Sequence, residues 1–182
     1  MDTKSILFNV AKDLLSKKSI ESITVQEILD TAKVSRSTFY RFFRDKYDIV
    51  CELYKETFSE DYLKTFDGGN ADDFYRSIFM FARDNFLLFT NALQSNGQNS
   101  FIDWLNDYLK QIYEQKYLEI RGEMPDAEMA FKISVIVEAN NYAFASWVKK
   151  GCIEPVDDVC RWIQDVIPNI YQVTSNDRPK IE

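Results

Sequence analysis

Between Arg36 and Lys46 the sequence reads RSTFYRFFRDK, a concentration of cations, hydroxyls and aromatic rings suited to holding a polyanion. The wider stretch KVSRSTFYRFFRDK, residues 33–46, carries five cations and one acid in a chain whose formal net charge is −7. Four of its rings fall within the five positions 39–43. With Ser35 as N-cap, a helix through this stretch puts Phe39, Phe42 and Phe43 at i, i+3 and i+4 on one face, where they enter a core. Arg36, Ser37, Tyr40 and Arg41 fall on the opposite face. On DNA, arginine near a helix N-terminus can bind guanine O6 and N7 bidentately in the major groove. Hydroxyls, helix N-terminal amides and lysines hold phosphates and set the register.

That helix needs neighbours to present it. Ile6, Leu7, Val10, Ala11, Leu14 and Leu15 line one face of a first helix starting near Thr3 and stopping at Lys17–Ser19. Thr24 and Glu27 form a T-x-x-E capping box ahead of VQEILDTA, whose inner side is Val25, Ile28 and Leu29. Lys33–Val34 form a tight break before Ser35. A further helix begins near Asp45, with Tyr47, Val50, Leu53, Tyr54 and Phe58 inward. Two short helices joined by a turn of about 3–4 residues make a helix-turn-helix.

The rest of the chain is also helical. DGGNADD is a loop, a run over 72–93 breaks near Asn85, and SNGQNS is a second loop. FIDWLNDYLKQIYEQKYLEI is a long amphipathic helix ending at the GEMPD break. Residues 126–150 form a helix apolar almost all round, including Met129, Phe131, Ile133, Val135, Ile136, Val137, Tyr142, Phe144 and Trp147. Gly151 stops it. Pro155 sits in the first turn of a last helix, whose inner side is Val159, Trp162, Ile163, Val166, Ile167 and Ile170. The fold class is all-α.

Composition narrows the chemistry. Among 182 residues there is no histidine, which removes the commonest general base and transition-metal ligand. Three cysteines, Cys51, Cys152 and Cys160, form no CxxC pair and no disulfide framework. An enzyme is not expected, nor a metal or cofactor. No run approaches the ~20 apolar residues of a membrane span, the N-terminus does not read as a signal peptide, and a cytoplasmic location is expected. Residues 1–50 hold nine Lys/Arg against seven Asp/Glu, and residues 51–182 thirteen against twenty-two, so a mildly basic head sits on an acidic body.

From Thr24 to Lys46 the residues TVQEILDTAKVSRSTFYRFFRDK resemble the N-terminal domain of the TetR family of transcriptional regulators, patterned T-[VI]-x-x-[IL]-x-x-x-A-G-V-S-x-x-[TL]-[FL]-Y-x-[HY]-F-x-x-K. The resemblance implies a helix-turn-helix DNA-binding domain over 1–50 and a helical regulatory and dimerisation domain over 51–182. It implies a double-stranded operator as partner and a homodimer through the last two helices, usually a repressor released by a small molecule. The alternative is a TetR-like activator, or an adaptor controlled by a protein partner, since the TAKVS variant also resembles regulators of the dihydroxyacetone-kinase operon activator type.

Position by position, the resemblance makes Thr24 a helix cap and phosphate contact. It places Ser35, Arg36, Ser37 and Thr38 in or beside the major groove, Tyr40 and Lys46 on phosphates, and Arg41 on groove or backbone. Three positions depart from the family, one of them the glycine that often follows the first helix, which is Ser19 or Ile20 here. Phe42 replaces the usual His or Tyr. Lys33 replaces the turn glycine, so a residue with a Cβ meets a left-handed conformation at about 1 kcal/mol, or adds a phosphate contact.

In the apolar helix 126–150, Ser134, Glu138 and Asn141 form a narrow polar stripe that needs partners. One reading is a pocket for a small apolar or aromatic effector, with Glu138 and Asn141 orienting it among Phe81, Phe86, Trp104, Tyr108 and Tyr142. The other places the stripe in solvent or in a dimer seam.

Overall fold

A computed structural model describes residues 2–57, 71–94 and 100–166. Phe58, most of the DGGNADD and SNGQNS loops, Ile167, Ile170 and the polar tail lie outside them. Among the described residues there are nine α-helices and no strand.

Helix α1 (Thr3–Leu15) starts where Asp2 Oδ1 accepts the Ser5 N–H at 2.8 Å. It buries Leu7, Phe8, Ala11, Leu14 and Leu15, while Ile6 and Val10 are only half-buried. The stripe is turned toward Phe8, whose ring lies 5.4 Å from that of Phe43. A single 3₁₀ turn, Ile20–Ser22, leads to α2 (Val25–Ala32). Thr24 Oγ1 accepts the Glu27 N–H at 3.1 Å, but only this half of the capping box forms. The Glu27 carboxylate instead accepts from Lys18 Nζ at 2.6 and 2.7 Å, tying the end of α1 to α2.

Lys33 closes α2 in the left-handed region, at φ 54° and ψ 42°. Its N–H and that of Val34 both donate to the Leu29 carbonyl, which satisfies the helix end. The chain then enters α3 (Arg36–Phe42) and, through Asp45, α4 (Lys46–Thr57). Asp45 Oδ1 caps α4 by accepting the Tyr47 and Asp48 N–H groups, both at 2.8 Å.

Helices α5 (Ala71–Asp84) and α6 (Phe86–Ala92) are separated at Asn85, as the sequence predicts. Asn85 Nδ2 donates to the Phe81 carbonyl at 2.9 Å, competing with helix continuation. Helix α7 (Phe101–Arg121) is capped by Ser100 and stopped by Gly122 at φ 77°. Helix α8 (Ala127–Lys149) is capped by Asp126. After it, Gly151 takes φ 98° and Cys152 φ 52°, turning the chain into α9 (Val156–Val166). Pro155 stands just before α9, its carbonyl accepting from the Asp158 and Val159 N–H groups at 3.0 Å.

The inner face of α9 differs from the predicted one. Val156, Val159 and Cys160 are buried, whereas Trp162 and Val166 face outward. Against α5, the buried stripe runs 156, 159, 160, with half-buried Ile163 following it, so Trp162 and Val166 fall on the neighbouring face.

One core joins the elements. α1 packs on α2, α4 and α6; α4 packs on α7; and α8 packs on α5, α6 and α7. Asn91 Nδ2 donates to the Leu15 carbonyl at 2.7 Å, fastening α6 to the end of α1. The head is therefore seated on the body through α1 and α4.

Candidate nucleic-acid interface

Helix α3 is only seven residues long, so tertiary anchoring must hold it. Phe39 and Phe43 provide it: their exposures are 0% and 1%, and their rings lie 5.6 Å apart. Phe42 is less deeply placed than the sequence predicts, half-buried against the core with the Arg41 guanidinium 4.9 Å from its ring centre. Phe43 itself stands just past the helix in extended conformation, at φ −137°, which swings its ring onto Phe8.

The outward face holds the predicted polar set. Ser35 Oγ accepts the Thr38 N–H at 3.1 Å and forms a hydroxyl cluster with Ser37 Oγ, 2.9 Å away, and Thr38 Oγ1, 2.8 Å away. Ser35, Arg36, Ser37, Tyr40 and Arg41 are exposed, and Thr38 is half-buried. The Arg36 guanidinium lies 5.9 Å from the Tyr40 ring centre, and that ring meets Phe39 edge-on at 5.3 Å. Tyr40 is thus held upright by the core below it, with its hydroxyl on the cationic side. Lys33 is exposed at the turn. From Lys33 to Arg44 there are four cations and no acid, so no carboxylate within that segment opposes an approaching phosphate.

Thr24 and Lys46 flank this face differently. Thr24 is exposed; its oxygen caps α2, and its hydroxyl hydrogen remains available to donate. Lys46 is half-buried, with Nζ donating to the carbonyls of Glu21 and Ile23 at 3.1 and 2.9 Å. Two of its three N–H groups are used inside the protein. Tyr47, predicted inward, is half-buried against the core, and its hydroxyl spans the same gap, donating to the Glu21 carboxylate at 3.1 Å.

At the end of α3, Asp48 accepts from the Arg44 backbone N–H at 2.9 Å and from its Nη2 at 2.8 Å. Burial pushes the Asp48 carboxyl upward, but these bonds outweigh it and hold the group below its ordinary 3.8. Burial also pushes the Cys51 thiol up to about 12, which leaves it protonated and unreactive. Among the described residues no group of three or more Asp, Glu or Cys side chains could hold a metal, and no helix is long and apolar enough to cross a membrane.

In the body, the structure does not bring the seven predicted pocket residues together. Trp104 and Tyr108 stack on each other at 5.0 Å, with Lys55 Nζ 5.7 Å from both ring centres. Phe81 packs on Phe89 at 5.7 Å, and Phe86 is half-buried against the core. Glu138 and Tyr142 are exposed, while Asn141 is buried and donates from Nδ2 to Asn106 Oδ1 at 2.7 Å. The polar stripe is therefore split between two faces of α8. Asn140, Tyr54, Phe79, Tyr113 and Phe144 share the interior cavity with Asn141 and were not predicted to line a pocket. The one local signal for this was the adjacent Asn140–Asn141 pair in an apolar helix.

Comparison with known proteins supplies the context. Residues 7–53 match the family described as "Bacterial regulatory proteins, tetR family", and residues 69–169 match "Transcriptional regulator C-terminal region" of the same group. The chain is 24% identical over 117 residues to the HTH-type dhaKLM operon transcriptional activator DhaS of Lactococcus lactis subsp. lactis strain IL1403. That match covers 63% of each chain, so the sequence spans just under two-thirds of this curated relative. The structure of a dihydroxyacetone kinase operon activator DhaS superposes with a TM-score of 0.61 at 15% identity, covering 96% of this chain and 97% of that one. The fatty acid degradation regulator FadR from Bacillus halodurans gives 0.62 at 15%, covering 92% and 95%.

Proposed function

The chain belongs to the tetR family of bacterial regulatory proteins and is a transcriptional regulator, and from that premise we propose that it grips operator DNA with α3 as a homodimeric, effector-released repressor. The observation carrying the DNA contact is the outward face of α3, cationic and hydroxyl-rich, standing on buried Phe39 and Phe43. Arg36 and Ser37 read base edges, with Ser35 and Thr38 beside them. Thr24, Lys33, Tyr40 and the third N–H of Lys46 hold phosphates, and Arg41 follows the backbone. Residues 1–50 act as the DNA-binding head and 51–182 as the regulatory body, without catalytic activity, in the cytoplasm.

The dimer forms through α8 and α9. Phe131, Val135 and Tyr142 lie along one side of α8 at exposures of 69%, 49% and 76%, and Trp162 and Val166 lie outward on α9. An apolar surface of this kind calls for a self-complementary partner. Release follows from a small apolar or aromatic effector bound in the body.

A second reading, activation, is favoured by the DhaS relative, which is named as an activator. Selection of bound sites from random DNA with the pure chain tests the main reading. Palindromic half-sites are expected; absence of any enrichment at low salt overturns it. Reporter expression from the selected site, with and without the regulator, decides its sign.

A further inference from the structure

Helix α3 exposes two arginines, and each lies against a different kind of ring. The Arg41 guanidinium stands 4.9 Å from the centre of Phe42, a half-buried ring packed on the core. The Arg36 guanidinium stands 5.9 Å from the centre of Tyr40, a ring that is 49% exposed on the outward face. Arg36 and Tyr40 are i and i+4, so one turn of helix sets them beside each other. Among the described residues Arg36 makes no ion pair and no side-chain hydrogen bond, which leaves the Tyr40 ring to orient it.

Tyr40 is a stiff platform. Its ring meets Phe39 edge-on at 5.3 Å, with 85° between the planes, and Phe39 is fully buried. Phe39 in turn packs on Phe43, 5.6 Å away. A tyrosine has two side-chain torsions and loses little freedom on binding, whereas a free arginine loses much more. An arginine ordered only on meeting a base edge weakens binding by that loss. Laid against a fixed ring, Arg36 has given up part of it beforehand.

We propose that Tyr40 is the positioning residue for base readout by Arg36, its ring holding the guanidinium fork ready for O6 and N7 of a guanine in the major groove. This deepens, and rests on, the proposed reading of α3 as the helix that grips DNA. A guanidinium stacks through its face and donates through its edge, so it keeps the ring while it binds the base. The tyrosine side chain then has two separable tasks. Its hydroxyl holds a phosphate and serves every sequence alike. Its ring acts through Arg36 and serves only the base pair that Arg36 reads, because at a mismatched pair the fork has no partner. The gain in discrimination is about two- to fivefold, the contribution of a guanidinium over a ring at an exposed site.

The test compares the full chain with Tyr40→Phe and Tyr40→Leu, first free and then on DNA. In the free chain, NMR should show the Arg36 side-chain protons shifted upfield by the ring, a shift that Tyr40→Phe keeps and Tyr40→Leu abolishes. On DNA, the readout is the affinity ratio between the selected site and the same site with the Arg36-read base pair exchanged. Tyr40→Phe should weaken both sites and keep the ratio. Tyr40→Leu should weaken both and also shrink the ratio about two- to fivefold. In an Arg36→Ala background the two substitutions should give equal ratios, which a general loosening of the helix does not produce. An unshifted Arg36 in the free chain, or a ratio that Tyr40→Leu preserves or that Tyr40→Phe loses equally, overturns this proposal alone. A selection from random DNA that yields no site overturns it together with the reading of α3.

Discussion

The Lys46 ammonium lies 2.9 Å from the Ile23 carbonyl oxygen, bridging the start of α4 to the segment that leads into α2. Together with the Tyr47–Glu21 contact, it braces α4 against the segment that leads into α2. The cation is thus a structural strut within the head.

Lys46→Met should cost about 1.5–3 kcal/mol, the range for hydrogen bonds to a charged group. Urea unfolding measures this. The same variant should bind DNA more weakly, with its salt slope reduced by about 1 if the third N–H meets a phosphate. A slope equal to wild type restricts Lys46 to bracing.

Arg36 and Tyr40 should separate by phenotype although they touch. Arg36→Ala is expected to cost about 1–3 kcal/mol on the preferred site and to relax preference at one base pair. Tyr40→Phe removes only a hydroxyl above the core and should weaken all sequences alike. Affinities across a panel of single-base variants discriminate the two; a flat panel ratio for Arg36→Ala removes it from base readout.

Lys33 pits stability against binding. Its φ of 54° is one glycine adopts without the Cβ clash, so Lys33→Gly should stabilise the chain by about 1 kcal/mol. Losing the charge should lower DNA affinity and the salt slope. Unfolding midpoints and binding isotherms on one preparation check both signs, and a destabilised glycine variant contradicts the strain argument.

Phe131 tests the assembly. At 69% exposure its side chain contributes little to the core of one subunit, so Phe131→Asp should leave thermal unfolding of the monomer nearly unchanged. It should dissociate the dimer at micromolar concentration by sedimentation, and weaken operator binding with it. A variant that stays dimeric moves the seam elsewhere.

Asp48 sets an acid limit on the head. Its native carboxyl lies below its ordinary 3.8. The associated stabilisation is therefore complete above its unfolded value and is lost as pH falls through the native one. Because the Arg44 side chain is 81% exposed, solvent screening keeps the contribution to about 1 kcal/mol or less. Asp48→Asn should lower stability at neutral pH, and the gap from wild type should close below about pH 4. A gap that persists at pH 2 points to lost hydrogen bonding by the backbone N–H of Arg44 instead.

The all-α class, the order of helices and the break at Asn85 were legible because helix signals are local. Periodicity and caps act over three or four residues, which is why Thr24, Ser35 and the left-handed Lys33 stand where the sequence predicts. The sorting of α3 into Phe39 and Phe43 beneath and Arg36, Ser37, Tyr40 and Arg41 above is likewise local, since one turn of helix separates the faces.

Only the tertiary structure decided which partner a polar group finds and which side of an apolar helix is inside. Glu27 chose Lys18 over the Thr24 N–H, and Lys46 chose carbonyls more than twenty residues away in the chain. Along α8, Glu138 and Asn141 are only about 60° apart around the axis. Nothing in a helix apolar almost all round marks where the core ends between them. Packing against α7 drew that boundary, leaving Glu138 and Tyr142 exposed and burying Asn141 against Asn106, because burial is a property of neighbours rather than of the residue itself.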